Sequence, residues 1–161
     1  MTVIRHATPA DVPAIAAVEA ACFPPAEAAP EASFRARVAS YPEHFYLMFE
    51  GDRLVSLVNG FVTDQADLTD EMFADASLHC ETGAWQMVFG VATLPEYQRR
   101  GYAGQLLRAM IADARVQGRK GLVLTCKEHK LHYYASFGFV SEGVSQSDHG
   151  GALWYQMRLT F

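Results

Sequence analysis

Residues able to do chemistry gather first at Gln98-Arg99-Arg100-Gly101-Tyr102-Ala103-Gly104. Ahead of them lies an apolar run, Met87-Val88-Phe89-Gly90-Val91-Ala92, which reads as a buried strand. Behind them Leu106, Leu107, Met110, Ile111 and Ala114 repeat at the period of an amphipathic helix. A strand, a glycine turn and a helix start together make an anion site. The first N–H groups of a helix have no intrahelical partner and sit at the positive end of its dipole. Arg99 and Arg100 add full charges, and Gly101 lets oxygen atoms approach the backbone. The chemistry suits a phosphate or pyrophosphate. Neither G-x-G-x-x-G nor G-x-x-x-x-G-K-[ST] occurs, which excludes the two common nucleotide loops.

Other reactive side chains are more isolated. Glu27 stands alone in Pro24-Pro25-Ala26-Glu27-Ala28-Ala29-Pro30. A lone acid flanked by prolines and alanines reads as a cleft acid or as an ordinary loop acid. Tyr133 and Tyr134 are neighbours on a short helical segment and so point about 100° apart. His79 and Cys80 are adjacent, but no third ligand has zinc-site spacing, and no metal is expected. Cys126 closes an apolar strand, where a free thiol is usually buried and inert, which weakens a Cys126–His132 nucleophilic pair. His129 and His132 lie among Lys127 and Lys130 and suggest a solvated surface, while His149 in Asp148-His149-Gly150-Gly151 fits a hairpin turn.

The elements that must position these residues alternate in type. Val3–His6 is a short strand; Thr8, Pro9 and Asp11 then supply an N-cap, a first-turn proline and a first-turn acid for a helix ended by Pro24 and Pro25. A second helix is predicted over Glu31–Ala39. Phe45–Glu50 and Leu54–Val62 are strands meeting at Gly51-Asp52, a hairpin signal. One helical turn fits Glu71-Met72-Phe73. After the long helix, closed at Gly118, come the strand Leu122–Cys126, a short helix from His129 to Phe137 ended by Gly138, and a last strand over Ala152–Leu159. The order β-α-α-β-β-β-α-β-α-β-β implies an α/β fold whose sheet is partly antiparallel, with helices on both faces.

At 161 residues and 50% hydrophobic the chain fits one domain, residues 1–161, with a sizeable core. Its start turns polar too soon for a signal peptide, and no apolar run approaches a membrane span. Three scattered cysteines argue for a reducing cytoplasm. A net charge of −5 disfavours nucleic acid as partner. That charge is uneven: residues 98–130 hold eight Lys or Arg against Asp113 and Glu128, a net +6 that leaves −11 elsewhere. Residues 64–81 hold six acids and no Lys or Arg, a stretch that would either attract a cation or lie solvated.

The block Gln98-Arg99-Arg100-Gly101-Tyr102-Ala103 resembles the Q/R-x-x-G-x-G/A signature of the GCN5-related N-acetyltransferases (GNAT). Cys126-Lys127-Glu128-His129-Lys130-Leu131-His132-Tyr133-Tyr134, running on to Gly138-Phe139, resembles the C-terminal part of that family, most closely its arylalkylamine N-acetyltransferase branch. The resemblance implies a centrally splayed sheet that opens between the strands ending near Thr93 and Cys126. Acetyl-CoA would lie there as co-substrate. Backbone groups of Val91, Ala92 and Thr93 would pair with its pantetheine arm, and Arg99, Arg100, Gly101, Tyr102, Ala103 and Gly104 would cradle its pyrophosphate. Tyr134 would be the general acid, and a backbone N–H near Gly90 or Val91 would meet the oxyanion. Vertebrate members of the branch carry two histidines where this chain has Met87 and Phe89; insect members use a glutamate whose counterpart is Glu27. The implied acceptor is a small primary amine, with Phe23, Phe34, Phe61 and Trp85 suited to its apolar body, although such aromatics more often belong to the core, and a homodimer is left open. Acetylation of a protein, peptide or aminoglycoside is the rival activity, and a non-catalytic CoA sensor the rival class.

Overall fold

The computed structural model describes residues 1–161. The elements begin with β1 (Thr2–Arg5), α1 (Val12–Cys22), α2 (Glu31–Ser40), β2 (Phe45–Glu50), β3 (Arg53–Asn59) and β4 (Val62–Thr63). They continue with α3 (Asp70–Ala74), β5 (Trp85–Val88), β6 (Gly90–Thr93) and α4 (Tyr102–Val116). The chain closes with β7 (Gly121–Cys126), α5 (Leu131–Ala135), β8 (Val140–Val144) and β9 (Tyr155–Thr160). This is the α/β alternation expected, with sheets of order β1-β2-β3-β6 and β4-β5-β7-β9-β8.

Two compact units contain these sheets. The first comprises Met1–Gly60 and Gly90–Met110. Its sheet is antiparallel throughout, with α1 packed on α2, β3 and β6. Ile15, Phe34, Phe45, Leu47 and Leu57 form its fully buried centre. The helix start is built as the residues dictate: Thr8 and Asp11 form a reciprocal capping box, and Arg5 grips the Asp11 carboxylate with two bonds of 2.8 Å.

The second unit comprises Phe61–Phe89 and Ile111–Phe161. Here β5 and β7 run parallel, from Trp85 opposite Gly121 to Val88 opposite Leu124, and β9 and β8 continue the sheet antiparallel. Met87, Leu122, Val123 and Met157 are buried in it.

Two strands expected to be continuous are broken. The apolar run through Met87 and Val91 stops pairing at Phe89, so that β5 joins β7 while β6 joins β3. Phe89 instead lays its ring against Phe61 and Phe73, with centroids 4.9 and 4.6 Å away. The predicted strand Leu54–Val62 likewise ends at Asn59, and β4 pairs anew with β5. Both breaks have the same cause, since each strand changes sheets. Hydropathy is blind to such an exchange because the residues on either side stay buried or half-buried.

Candidate active site

β6 is an end strand, bonded on one side to β3. The bond from Leu94 N to Val55 O (2.9 Å) fixes which residues face which way. In an antiparallel ladder, hydrogen-bonded and non-bonded pairs alternate. With Ser56 opposite Thr93 and Val58 opposite Val91, the main-chain groups of Val91 and Thr93 point away from β3. Those of Ala92 point toward Leu57, and Ser56 Oγ adds a 2.9 Å bond to the Ala92 carbonyl. The Thr93 carbonyl accepts from Cys22 Sγ and Gln98 Nε2, both at 3.2 Å. The open edge is therefore Val91 N–H and C=O, followed by Thr93 N–H.

A 3-10 turn, Pro95–Tyr97, leads from this edge to the arginine turn. Arg99 is left-handed at φ +64°, alone among the non-glycine residues, and Gly101 follows at φ +79°. An L-residue in that region costs about 1–2 kcal/mol, and such strain persists where the surroundings enforce it. The surroundings here are the side chains of the turn. Arg100 donates to the Glu96 carbonyl at 3.3 Å and lies over the Tyr97 ring, 4.9 Å from its centroid. Tyr102 donates its hydroxyl to Glu50 at 3.1 Å, and Arg100 is 3.8 Å from the same carboxylate. Arg99 is exposed. The first bond of α4 runs from Gln105 N to Gly101 O (3.0 Å), so the N–H groups of Tyr102, Ala103 and Gly104 precede the helical ladder. A Cβ on Gly101 would meet no atom within 4 Å, so its space over the turn is open.

Glu27, also in the first unit, is half-buried in the turn after α1, where the amides of Glu27 and Ala28 both donate to Pro24 O, at 2.8 and 2.9 Å. Tyr134 belongs to the second unit. It lies on α5, which follows the 3-10 turn Glu128–Lys130 and ends before Gly138 at φ +101°. Its side chain is buried, with Tyr133 and Phe139 at ring-centroid distances of 5.1 and 6.2 Å. Tyr133 is exposed, so the two neighbouring tyrosines do diverge as the helical geometry requires. Burial pushes the Tyr134 phenol above its ordinary pKa, and Tyr133 and Cys126 add to the shift. The group therefore keeps its proton throughout the neutral range, the form an acid needs. Cys126 is buried, its thiol pushed up to about 11 mainly by desolvation, so it is no nucleophile at neutral pH.

Residues 12–139 match the model of the "Acetyltransferase (GNAT) family". The chain belongs to this family. No curated protein matches it by sequence. Among solved structures, the GphF GNAT-like decarboxylase in complex with isobutyryl-CoA is similar at TM-score 0.84 and 19% identity, over 98% of each chain. The ribosomal-protein-S18-alanine N-acetyltransferase from Escherichia coli is similar at TM-score 0.72 and 19% identity, over 99% of this chain and 94% of that one. A GNAT family acetyltransferase from Brucella melitensis in complex with acetyl-CoA is similar at TM-score 0.65 and 21% identity, over 100% and 88%. At such identities these likenesses concern the fold.

Within the GNAT frame, several expectations about the acceptor side change. Phe34 and Phe61 are fully buried core residues. Trp85 carries the Arg158 guanidinium on its face, 4.6 Å from the centroid. Much of the acidic stretch is structural: Asp67 binds Arg158 at 2.9 Å, Glu81 binds Arg119 at 3.0 Å, and Asp64 accepts from Ala84 N at 3.1 Å. His149 stacks on Phe73 with centroids 5.6 Å apart, beside Trp154, whose indole donates to the His149 carbonyl at 2.8 Å.

Sequence reasoning missed three polar residues. Glu19, Arg37 and Asn59 are all buried in the first unit. Glu19 shares the apolar face of α1 with Val12, Ile15 and Val18, and Arg37 shares that of α2 with Phe34 and Val38. The signal available was a charge placed at a position where the helical period calls for a hydrophobe.

Proposed function

We propose that this GNAT protein transfers the acetyl group of acetyl-CoA to the nitrogen of a small primary amine with an aryl or alkyl body. The observation that carries the reading is the run from the open edge of β6, through the left-handed turn, to the head of α4. Consecutive residues then offer strand-like pairing for an extended arm and orphan donors for a pyrophosphate. The likeness to a Brucella melitensis acetyltransferase in complex with acetyl-CoA supports the donor. The acceptor rests on the arylalkylamine-like block around Tyr134.

In this mechanism Val91 N–H, aimed at the open edge, receives the developing oxyanion. Glu27 meets the ammonium and removes its proton, directly or through water, so that the neutral amine attacks the thioester carbonyl. As the C–S bond breaks, the sulfur leaves with the bonding pair and takes the Tyr134 proton, and the proton shed by the acylated nitrogen through solvent restores the phenol. Arg99 and the amides of Tyr102–Gly104 hold the pyrophosphate, while Arg100 and Tyr102 anchor the turn through Glu50.

The test is a thiol-release assay with acetyl-CoA and a chemically varied panel of amines, with an alanine-initiated peptide included. Release that rises with a small amine supports the reading, and release only with the peptide replaces the acceptor. Calorimetric CoA binding with no release from any acceptor defeats it and leaves a sensor.

Acyl-CoA decarboxylation is a second reading, favoured by one observation. The segment entering Gly90 offers a fully buried Met87 and the ring of Phe89, with no base for an amine. Loss of carbon dioxide from a β-carboxyacyl-CoA such as malonyl-CoA needs none: the C–C bonding pair passes into the thioester enolate, which then takes up a proton at its α carbon. Carbon dioxide released from malonyl-CoA without free thiol would select it.

A further inference from the structure

Asn59 is wholly buried, and its Nδ2 has no hydrogen-bond partner. Its Oδ1 accepts from Arg37 Nη1 at 3.2 Å, and it stands opposite Gly90 in the β3–β6 ladder. A Cβ at Gly90 would lie a tight 3.2 Å from Asn59 Nδ2 and at an ordinary contact distance, 3.7 Å, from Glu19 Oε1, which puts the carboxylate of α1 beside the start of β6. The other oxygen of that carboxylate, Oε2, accepts the Ala29 N–H at 3.0 Å. Arg37 is buried over the Phe34 ring, its pKa lowered by desolvation, with Tyr41 and Glu19 opposing the shift.

Two buried charges and a buried amide are an expensive set, since apolar side chains of similar volume would often serve stability as well or better. Their arrangement points to what they do instead. The Glu19 carboxylate reaches from a rigid helix to the loop Pro24–Pro30 and holds its main chain two residues beyond Glu27. The same carboxylate lies beside Gly90, one residue before the Val91 edge. One side chain thus sets the loop of the acceptor side against the strand on which the acyl group would lie.

We infer that Glu19 is the positioning residue of the acceptor side. It pins the Glu27 loop through Ala29, with the nearby Arg37 guanidinium attracting its charge and Asn59 accepting from Arg37. This rests on the acetyltransferase reading for its kinetic consequence, though not for the pin itself.

The test compares the parent with Glu19→Ala, Glu19→Gln and the double variant Glu19→Met/Arg37→Met. The last removes both buried charges together and avoids leaving one of them unpaired. Ala29 amide exchange is followed by NMR, and KM is measured separately for amine and for acetyl-CoA. Glu19→Ala and the double variant should exchange at Ala29 about tenfold faster or more, the scale of one lost bond to a charged acceptor. Their amine KM should rise about tenfold for the same reason, with acetyl-CoA KM within about twofold. Glu19→Gln keeps an acceptor oxygen and should recover most of both effects. Unchanged Ala29 exchange in the double variant overturns the pin. Faster exchange with an unchanged amine KM overturns its role in positioning. A merely structural residue would move both KM values together. If no amine is turned over at all, the acetyltransferase reading fails while the exchange experiment still decides the pin.

Discussion

Replacing Gly101 by alanine separates a turn that binds an anion from a turn that merely connects a strand to a helix. Gly101 sits at φ +79°, so alanine there incurs the left-handed penalty of about 1–2 kcal/mol. The added methyl meets no protein atom within 4 Å, so backbone strain is the whole of the folding cost. For a chain of this size each kcal/mol lowers Tm by about 2–4 °C, which gives a fall of about 2–8 °C. Ligand affinity responds to a different term. The methyl enters the open space over the turn, next to the orphan amides of α4, where a phosphate oxygen would have to come close. Losing one charge-assisted bond there removes about 1.5–3 kcal/mol, which corresponds to a rise in the Kd for CoA of about 10- to 150-fold. Scanning calorimetry measures the first quantity and titration calorimetry with CoA the second. A lowered Tm with an unchanged Kd for CoA would refute the reasoning, because the glycine would then serve chain geometry alone.

Tyr134→Phe should lower kcat about 10²-fold, the range of a lost general acid, with the Kd for CoA unchanged; an unaltered kcat in steady-state assays removes Tyr134 from the chemistry. Glu27→Gln should displace or abolish the acidic limb of the kcat/KM profile against pH, whereas superimposable profiles would make Glu27 an ordinary loop acid. Asp11 is held below the usual carboxylate range chiefly by its bonds to Arg5, with Thr8 contributing. Its stabilisation is therefore complete above the unfolded-state value of about 3.9 and is lost as pH falls through the lower folded-state value. Asp11→Asn should melt below the parent at neutral pH, and the gap in Tm should close as acidity increases past about pH 3.9; a gap independent of pH would contradict the ion pair.

The strand, turn and helix from β6 to α4 were legible along the chain because these parts are contiguous. The apolar run, Gly101 and the apolar stripe of α4 lie within some thirty residues, and an anion site at a helix start needs only local geometry. The turn's conformation at Gly101 and the buried Cys126 followed from the same local reading. Where the reading failed, the missing information was non-local. The breaks at Phe89 and Asn59 come from partner exchange between sheets, which changes no residue's hydropathy. Phe34 and Phe61 were left between core and substrate side, because an aromatic residue carries the same signature in a core and in a pocket. The acids of residues 64–81 looked unengaged because Arg119 and Arg158 are distant in sequence.

By itself, then, the order of residues determined the α/β alternation, the helix starts and stops and the glycine turn that opens α4, since each depends on side-chain periodicity or on backbone freedom over a few neighbours. Only the tertiary structure decided that Val91 and Thr93, and not Ala92, present the open edge of β6, because that follows from register with β3. Only it decided that Glu19, Arg37 and Asn59 meet beside Gly90. Two helices and two strands contribute to that cluster, and no spacing along the chain encodes their convergence.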